Sequence, residues 1–194
     1  MRTFPKSRID ALADGIFAFA MTLLILEVRL PADLPIRDSA DLIVRLWALW
    51  PKYIAYVISF FVLAANWRSN IELLRVEQVS SNVLRWSVVY LFFITSVPFS
   101  SSVVGAYGEL PPAVWLYAAN LIIVAALSLC LRMSEVAPEH RLHLRIGNAK
   151  TMFFMASAVL SVVLSLIVPG YAMYAYLLNI LAGPLAVRLL GREV

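Results

Sequence analysis

The sequence predicts an all-α membrane protein with six transmembrane helices and both termini in the cytoplasm, and three observations support this. The 194-residue chain is 62% hydrophobic and only 14% charged, whereas soluble domains are about 45–50% apolar and about 25% charged. Six apolar runs each approach the length of roughly 20 residues that is needed to cross hydrocarbon. Twelve of the 16 Lys and Arg residues fall on one side of this topology, which places that side in the cytoplasm.

The six predicted spans form one transmembrane domain over residues 1–194. Pro and Gly residues separate several of the spans, and the loops between the spans hold at most 19 residues, which is too few for a soluble domain. The predicted spans are 9–30, 46–66, 84–104, 113–131, 151–168 and 171–190. The first is interpreted as a retained span and not as a signal peptide, because Asp10 and Asp14 stand where a signal sequence is rarely acidic.

Composition and motifs exclude several classes of function. The net charge of +4 does not indicate nucleic-acid binding, because the basic residues lie in short loops between apolar runs. The single cysteine, Cys130, excludes an internal disulfide. The sequence has no metalloprotease HExxH, glycine-rich phosphate loop or nucleophile elbow. We therefore expect neither an enzyme nor a bound cofactor.

The first span has two different faces. At 100° per residue, one side carries an apolar stripe that only a threonine hydroxyl interrupts. The residues of this stripe that bear on function are Phe19, Thr22, Leu23 and Leu26. Ordinary packing against lipid or neighbouring helices would account for the stripe. Alternatively, several copies of the helix line a pore, and rings of these side chains close it by dewetting.

Asp14 lies on the other side of the first span, near its cytoplasmic end. An unpaired charge inside a membrane costs about 2.5–3.5 kcal/mol even on the lenient insertion scale, so Asp14 should face protein and be paired. Trp67, Arg68, Arg85 and Trp86 are expected at the same depth. Asp14 either fastens the helices together or serves as a protonatable group.

These residues belong to a recognisable pattern. The stretch RIDALADGIFAFAMTLLILEVRLP resembles the signature R-x-x-x-F-S-D followed by A-[IF]-A-x-T-L-L-x-L of the transmembrane protein 175 family, which comprises potassium-permeable channels of bacteria, archaea and lysosomes. Three later stretches are similar to the second, third and fourth helices of that family. They read SFFVLAANW, VVYLFFITSVPFSSSVVGAYG and YAANL. The resemblance covers roughly the first 130 residues.

The resemblance implies a homotetramer of six-helix subunits around a central pore that the first helix lines. It also implies that no P-loop filter is present, and that layers of Leu, Ile and Thr on the first helix provide selectivity and gating. The implied pore-facing positions are Phe19, Thr22, Leu23 and Leu26. No metal is expected beyond transient K⁺ near Thr22.

The family pattern also implies a polar network on the cytoplasmic side, with some departures here. Its members would be Arg8, Asp14, Trp67 and Arg68. The F-S-D triplet reads Leu12-Ala13-Asp14 in this chain, which removes an aromatic ring and a hydroxyl. Arg68 stands where the family tends to carry histidine, so the network is expected to be rewired, with Arg68 as a partner of Asp14.

The resulting hypothesis is a channel in the cell membrane that conducts potassium passively in preference to sodium. Its expected partners are other copies of itself, K⁺ and other monovalent cations, and the lipid bilayer. Two alternatives remain open at this point. One is a proton-coupled secondary transporter that uses Asp14, and the other is an accessory membrane subunit that does not conduct.

Overall fold

The computed structural model of the chain describes residues 3–30, 35–72, 78–135 and 141–179. These residues form mainly α-helices, together with two short strands. In chain order the elements are β1 (Thr3–Pro5), α1 (Lys6–Leu26), α2 (Ser39–Ala48), α3 (Trp50–Glu72), β2 (Gln78–Ser80), α4 (Ser81–Tyr107), α5 (Pro111–Glu135), α6 (Arg141–Ile167) and a 3₁₀ helix (Pro169–Leu178).

Four of the described helices are long and apolar enough to cross a membrane: α1, α4, α5 and the Gly147–Ile167 part of α6. A fifth span results if α2 and α3, which are bent by 45° relative to each other, are counted together. Of the sixth predicted span, 171–190, the structure has residues up to Leu178 in the 3₁₀ helix. Residues 180–190 lie outside the described part of the chain.

The predicted second span, 46–66, contains a break between two helices. The helix breaks at Leu49, so that residue 46 belongs to α2 and α3 begins at Trp50. Among the described helices, α3 is apolar enough to cross a membrane only when it is counted together with α2. Pro51 accounts for the break, because proline has no backbone N–H to bond to the carbonyl of Trp47, and its ring would collide with that carbonyl.

Other helix boundaries also differ from the predicted spans by several residues. The helix α6 begins at Arg141, ten residues before the predicted start, and α1 ends at Leu26 instead of residue 30. The spans were drawn from hydropathy, which finds the part of a helix that lies in hydrocarbon. Polar helical turns such as those at the start of α6 have no such signal, and the stretch after Leu26 was counted into the first span although it is not helical.

A two-stranded antiparallel sheet is a small departure from the predicted all-α fold. Its register pairs Thr3 with Ser80, Phe4 with Val79 and Pro5 with Gln78. The sheet brings the beginning of α1 beside the beginning of α4, and we call this end of the bundle the β end and the opposite one the far end. Arg8, Arg68 and Arg85 are exposed at the β end.

The core lies where α4 packs against α1, α3 and α5. Its largest fully buried side chains come from all four helices and include Phe17, Leu63, Ile94, Tyr117 and Leu121. Phe17 of α1 contacts Tyr90 of α4 with the ring centroids 6.2 Å apart. The central position of α4 thus holds α1 on one side and α5 on the other.

Gly105 marks the closest approach of α4 to α3 near the far end. A Cβ atom at this position would lie 3.2 Å from the Cα of Lys52 and 3.4 Å from the Cβ of Ala55. We expect Gly105→Leu to push the two helices apart and to lower the free energy of unfolding by about 1–3 kcal/mol. Gly170→Leu is the control, because a Cβ at position 170 meets nothing within 4 Å. Thermal unfolding in detergent would measure both, and equal midpoints would contradict the prediction.

Candidate functional site

The helix α1 uses one face to join the core. Ala13, Phe17, Ala20 and Leu24 are all buried, and their spacing of three and four residues places them on one side of the helix. This buried face packs on α3 and α4. It is offset by roughly 140–150° from the stripe singled out in the sequence.

The predicted pore-facing residues lie on the surface of the protomer. Phe19 is 65% exposed and Leu26 is 63% exposed. Thr22 is also exposed, and Leu23 is half-buried. Large apolar side chains that are this open cannot be in the core of their own protomer, so they face either lipid or another copy of the chain.

The hydroxyl of Thr22 is bound to its own helix. Its Oγ1 atom donates a hydrogen bond to the backbone carbonyl of Phe19 at 2.8 Å, a local bond that threonine commonly makes within helices. The proton is therefore directed at the backbone, and the oxygen lone pairs remain available on the exposed side. In this arrangement the side chain can accept a hydrogen bond or contact a cation.

Trp67 and Asp14, which both belong to the predicted polar network, are in contact in the half of the bundle nearer the β end. The indole Nε1 of Trp67 donates a hydrogen bond to the Oδ1 atom of Asp14 at 2.9 Å, which links α3 to α1. Asp14 is exposed and not buried as expected. Arg8 and Arg68 are also exposed at this end.

A second polar contact holds α1 near the far end. Glu27, the residue that follows the helix, accepts a hydrogen bond through Oε2 from the hydroxyl of Ser102 in α4 at 2.6 Å. The contact connects a carboxylate with a neutral hydroxyl, and such charge-assisted bonds are short and strong. Polar contacts therefore attach α1 to the rest of the protomer at Asp14, within the helix, and at Glu27, just beyond its last residue.

A cluster of buried hydroxyls joins α3, α4 and α5, and the sequence analysis missed it. Ser59 Oγ lies 2.9 Å from Ser101 Oγ and 2.8 Å from the hydroxyl of Tyr117. Ser101 in turn donates to the backbone carbonyl of Ala55 at 3.2 Å. We call Ser59, Ser101 and Tyr117 the hydroxyl cluster.

A neighbouring contact extends this polar interior. The amide Nδ2 of Asn120 donates to Ser100 Oγ at 3.0 Å, and both residues are buried. Ser59, Ser100, Tyr117 and Asn120 all lie in the stretches that resembled the family's second, third and fourth helices. That resemblance was the available signal, although it did not show that the three stretches meet.

The described part of the chain has no group of three or more His, Cys, Asp or Glu side chains that could hold a metal ion. Besides Lys6 and Arg132, the buried polar residues of the described part are serines and Asn120, and those at the centre of the bundle bond to one another or to the backbone. The surface of α1 between its two polar contacts is consequently the main candidate for a functional site.

We expect the hydroxyl cluster to contribute measurably to stability. A double-mutant cycle of Ser59→Ala and Tyr117→Phe should give a coupling energy of about 0.6 kcal/mol and no more than about 1.7 kcal/mol, the range found for hydrogen bonds between membrane helices. Ser134→Ala provides the control cycle with Ser59→Ala, because Ser134 is exposed at the other end of α5. Equilibrium unfolding in detergent would measure both cycles, and additive effects of Ser59→Ala and Tyr117→Phe would contradict the prediction.

Comparison with known sequences shows that the chain is similar to ion channels. Residues 8–98 match the family described as endosomal/lysosomal potassium channel TMEM175. A potassium channel from Chamaesiphon minutus is 33% identical over 101 residues, which are 52% of this chain and 49% of that protein. The endosomal/lysosomal proton channel TMEM175 of Rattus norvegicus is 29% identical over 112 residues, which are 55% of this chain and 22% of that protein. The matched segment thus spans about half of the bacterial relative and a smaller part of the rat protein.

Comparison with solved structures extends the similarity to nearly the whole chain. The crystal structure of a lysosomal potassium-selective channel TMEM175 homolog from Chamaesiphon minutus superimposes with a TM-score of 0.78 at 25% identity. The superposition covers 93% of this chain and 97% of that one. Similarity in fold therefore includes the last part of the described chain, where the sequence motifs had indicated little.

Proposed function

Because the chain belongs to the TMEM175 family, we propose that it is a potassium-permeable cation channel of the cell membrane. Four copies would assemble around a central axis, with α1 of each copy facing that axis and both termini in the cytoplasm. Each copy would be a single domain of six spans. The family is one of channels and not of enzymes, in agreement with the lack of catalytic motifs in the sequence.

The observation that carries this proposal is the exposure of the apolar stripe on α1. The protomer buries one face of the helix and leaves Phe19 and Leu26 open on a different one. A pore-lining helix needs this division, because its inner face must be free to meet the symmetry-related copies. The hydrogen bonds of Asp14 and Glu27 fix the rotation of α1 about its axis, so that the stripe faces away from the rest of the protomer.

The barrier to ions in such a pore would be hydrophobic. Rings of Phe19, Leu23 and Leu26 would narrow the path, and an ion would have to lose water where no protein oxygen replaces it. Thr22 would place four hydroxyl oxygens between these rings, since its proton is committed to the backbone. A potassium ion would pause there while partly dehydrated.

Potassium is the proposed permeant ion because the bacterial relative and the solved homologue are named for it. The mammalian relative is named a proton channel, so proton permeation is a measurable alternative. A proton-coupled transporter that uses Asp14 is less well supported, because the Asp14 carboxylate already accepts a hydrogen bond from Trp67 and serves as a contact between α1 and α3.

Replacing large side chains of the stripe with alanine tests directly whether they form the constriction. We expect Leu26→Ala and Phe19→Ala to raise potassium flux into liposomes, by about tenfold for each 1.4 kcal/mol removed from the barrier. Ile25→Ala is the matched control, since Ile25 is the adjacent residue and is also exposed, at 42%, but points 100° away from Leu26. Flux in Leu26→Ala and Phe19→Ala that equals the wild-type flux would contradict the pore-lining assignment.

The assembly can be tested separately from conduction. Native mass spectrometry of the detergent-solubilised protein should give a mass of four 21.6 kDa chains. A monomer or dimer that still conducts would contradict the shared central pore. A tetramer that carries no potassium flux would instead favour the accessory subunit.

A further inference from the structure

The short helix α2 has an exposed apolar side. None of its residues is buried, and Trp47 is 71% exposed. Together with the beginning of α3, this side forms an open groove of about 430 Å³, which we call the α2 groove. Its lining residues are Ile43, Leu46, Trp47, Trp50 and Tyr53. The pore hypothesis assigns no role to this surface.

The opposite side of α2 is polar, and its side chains bond to one another and to the chain just before the helix. Asp38 caps the helix by accepting a hydrogen bond from the backbone N–H of Asp41 at 2.8 Å. The Arg45 guanidinium bonds to Asp41 Oδ1 at 2.9 Å and holds the pKa of that carboxyl below its ordinary value. The carboxylate thus stays ionised beside its partner at neutral pH. This side is suited to water and needs no partner from another chain.

Aromatic residues on the other helices mark the depth at which α2 lies. Tyr107 ends α4, Trp115 lies near the start of α5 and Tyr171 lies near the start of the 3₁₀ helix. All three are exposed at the far end of the bundle, as is Trp50 at the start of α3. Exposed Trp and Tyr residues collect where the membrane meets water, and the α2 groove is at this level.

The tilt of α2 is also consistent with a position where the membrane meets water. The helix departs from the direction of α3 by 45°, so it leans from the membrane-crossing direction toward the plane of the bilayer. Helices with one apolar and one charged side lie in this plane, with the apolar side buried about 5–10 Å into the boundary between headgroups and acyl chains.

We propose that the α2 groove binds lipid of the leaflet at the far end, so that α2 is an interfacial helix. Trp47 and Ile43 would insert between acyl chains, and the Asp41–Arg45 pair would remain at the level of the headgroups. A lipid occupant fits better than a second copy of the chain, because the polar side is already paired and the groove continues the aromatic belt. The inference rests on the chain spanning a membrane and not on ion conduction.

Site-directed spin labelling can test this occupant. In a Cys130→Ser background, Trp47→Cys places a nitroxide in the groove, and Ala48→Cys places one on the polar side as the matched control, because Ala48 is exposed and points 100° away. In phosphatidylcholine liposomes, the label at 47 should be more accessible to oxygen than to a water-soluble nickel complex, at a depth of about 5–10 Å. The label at 48 should show the reverse preference.

Two outcomes would overturn the proposal. A label at 47 that is shielded from both oxygen and nickel would indicate that protein covers the groove, as a second copy would. A label at 47 that is as accessible to nickel as the one at 48 would place α2 in water. Ile43→Cys on the same side repeats the measurement if Trp47→Cys does not fold, and Ile43 is exposed as well.

Discussion

The packing of α1 on α3 and α4 is the constraint on which the rest of the structure depends. Inside a membrane, burial of apolar surface between helices gains little, because lipid is as apolar as the side chains. Complementary shape and a few polar contacts must therefore decide which side of α1 faces inward. Phe17 between α1 and α4 supplies the shape, while Asp14 and Glu27 supply the polar contacts. Phe19 and Leu26 are left outside as a consequence.

The hydroxyl cluster fixes the arrangement of the helices on which α1 packs. Ser59, Ser101 and Tyr117 connect three helices through short hydrogen bonds between buried side chains. Each unmade bond would leave a polar atom in an apolar setting, so alternative packings of α3, α4 and α5 are penalised. A helix that docks on α3 and α4 thus meets a surface whose shape is well defined.

Sequence reasoning predicted what depends on local periodicity and on membrane depth, and it missed contacts that neither of these indicates. The two faces of the first span and the proximity of Trp67 to Asp14 followed from helical geometry and membrane depth. The pairing of Ser59 with Tyr117 joins residues 58 positions apart, and hydropathy carries no information about it. The β1–β2 pair likewise joins two three-residue segments that are too short to show a period of two. Pro51 could have predicted the helix break at Leu49. The span was drawn from hydropathy averaged over many residues, and such an average does not show a break at a single position.

The two attachments of α1 limit how a pore lined by this helix could open. Asp14 and Glu27 are 13 residues apart, which is about 20 Å along the helix, and Phe19, Thr22 and Leu26 lie between them. A rigid outward movement of α1 would have to break the bond to Trp67 or the bond to Ser102, or carry α3 and α4 with it. Rotation of the Phe19 and Leu26 side chains, or bending of α1 between its two attachments, preserves both bonds. The geometry therefore favours gating within the stripe over displacement of the whole helix.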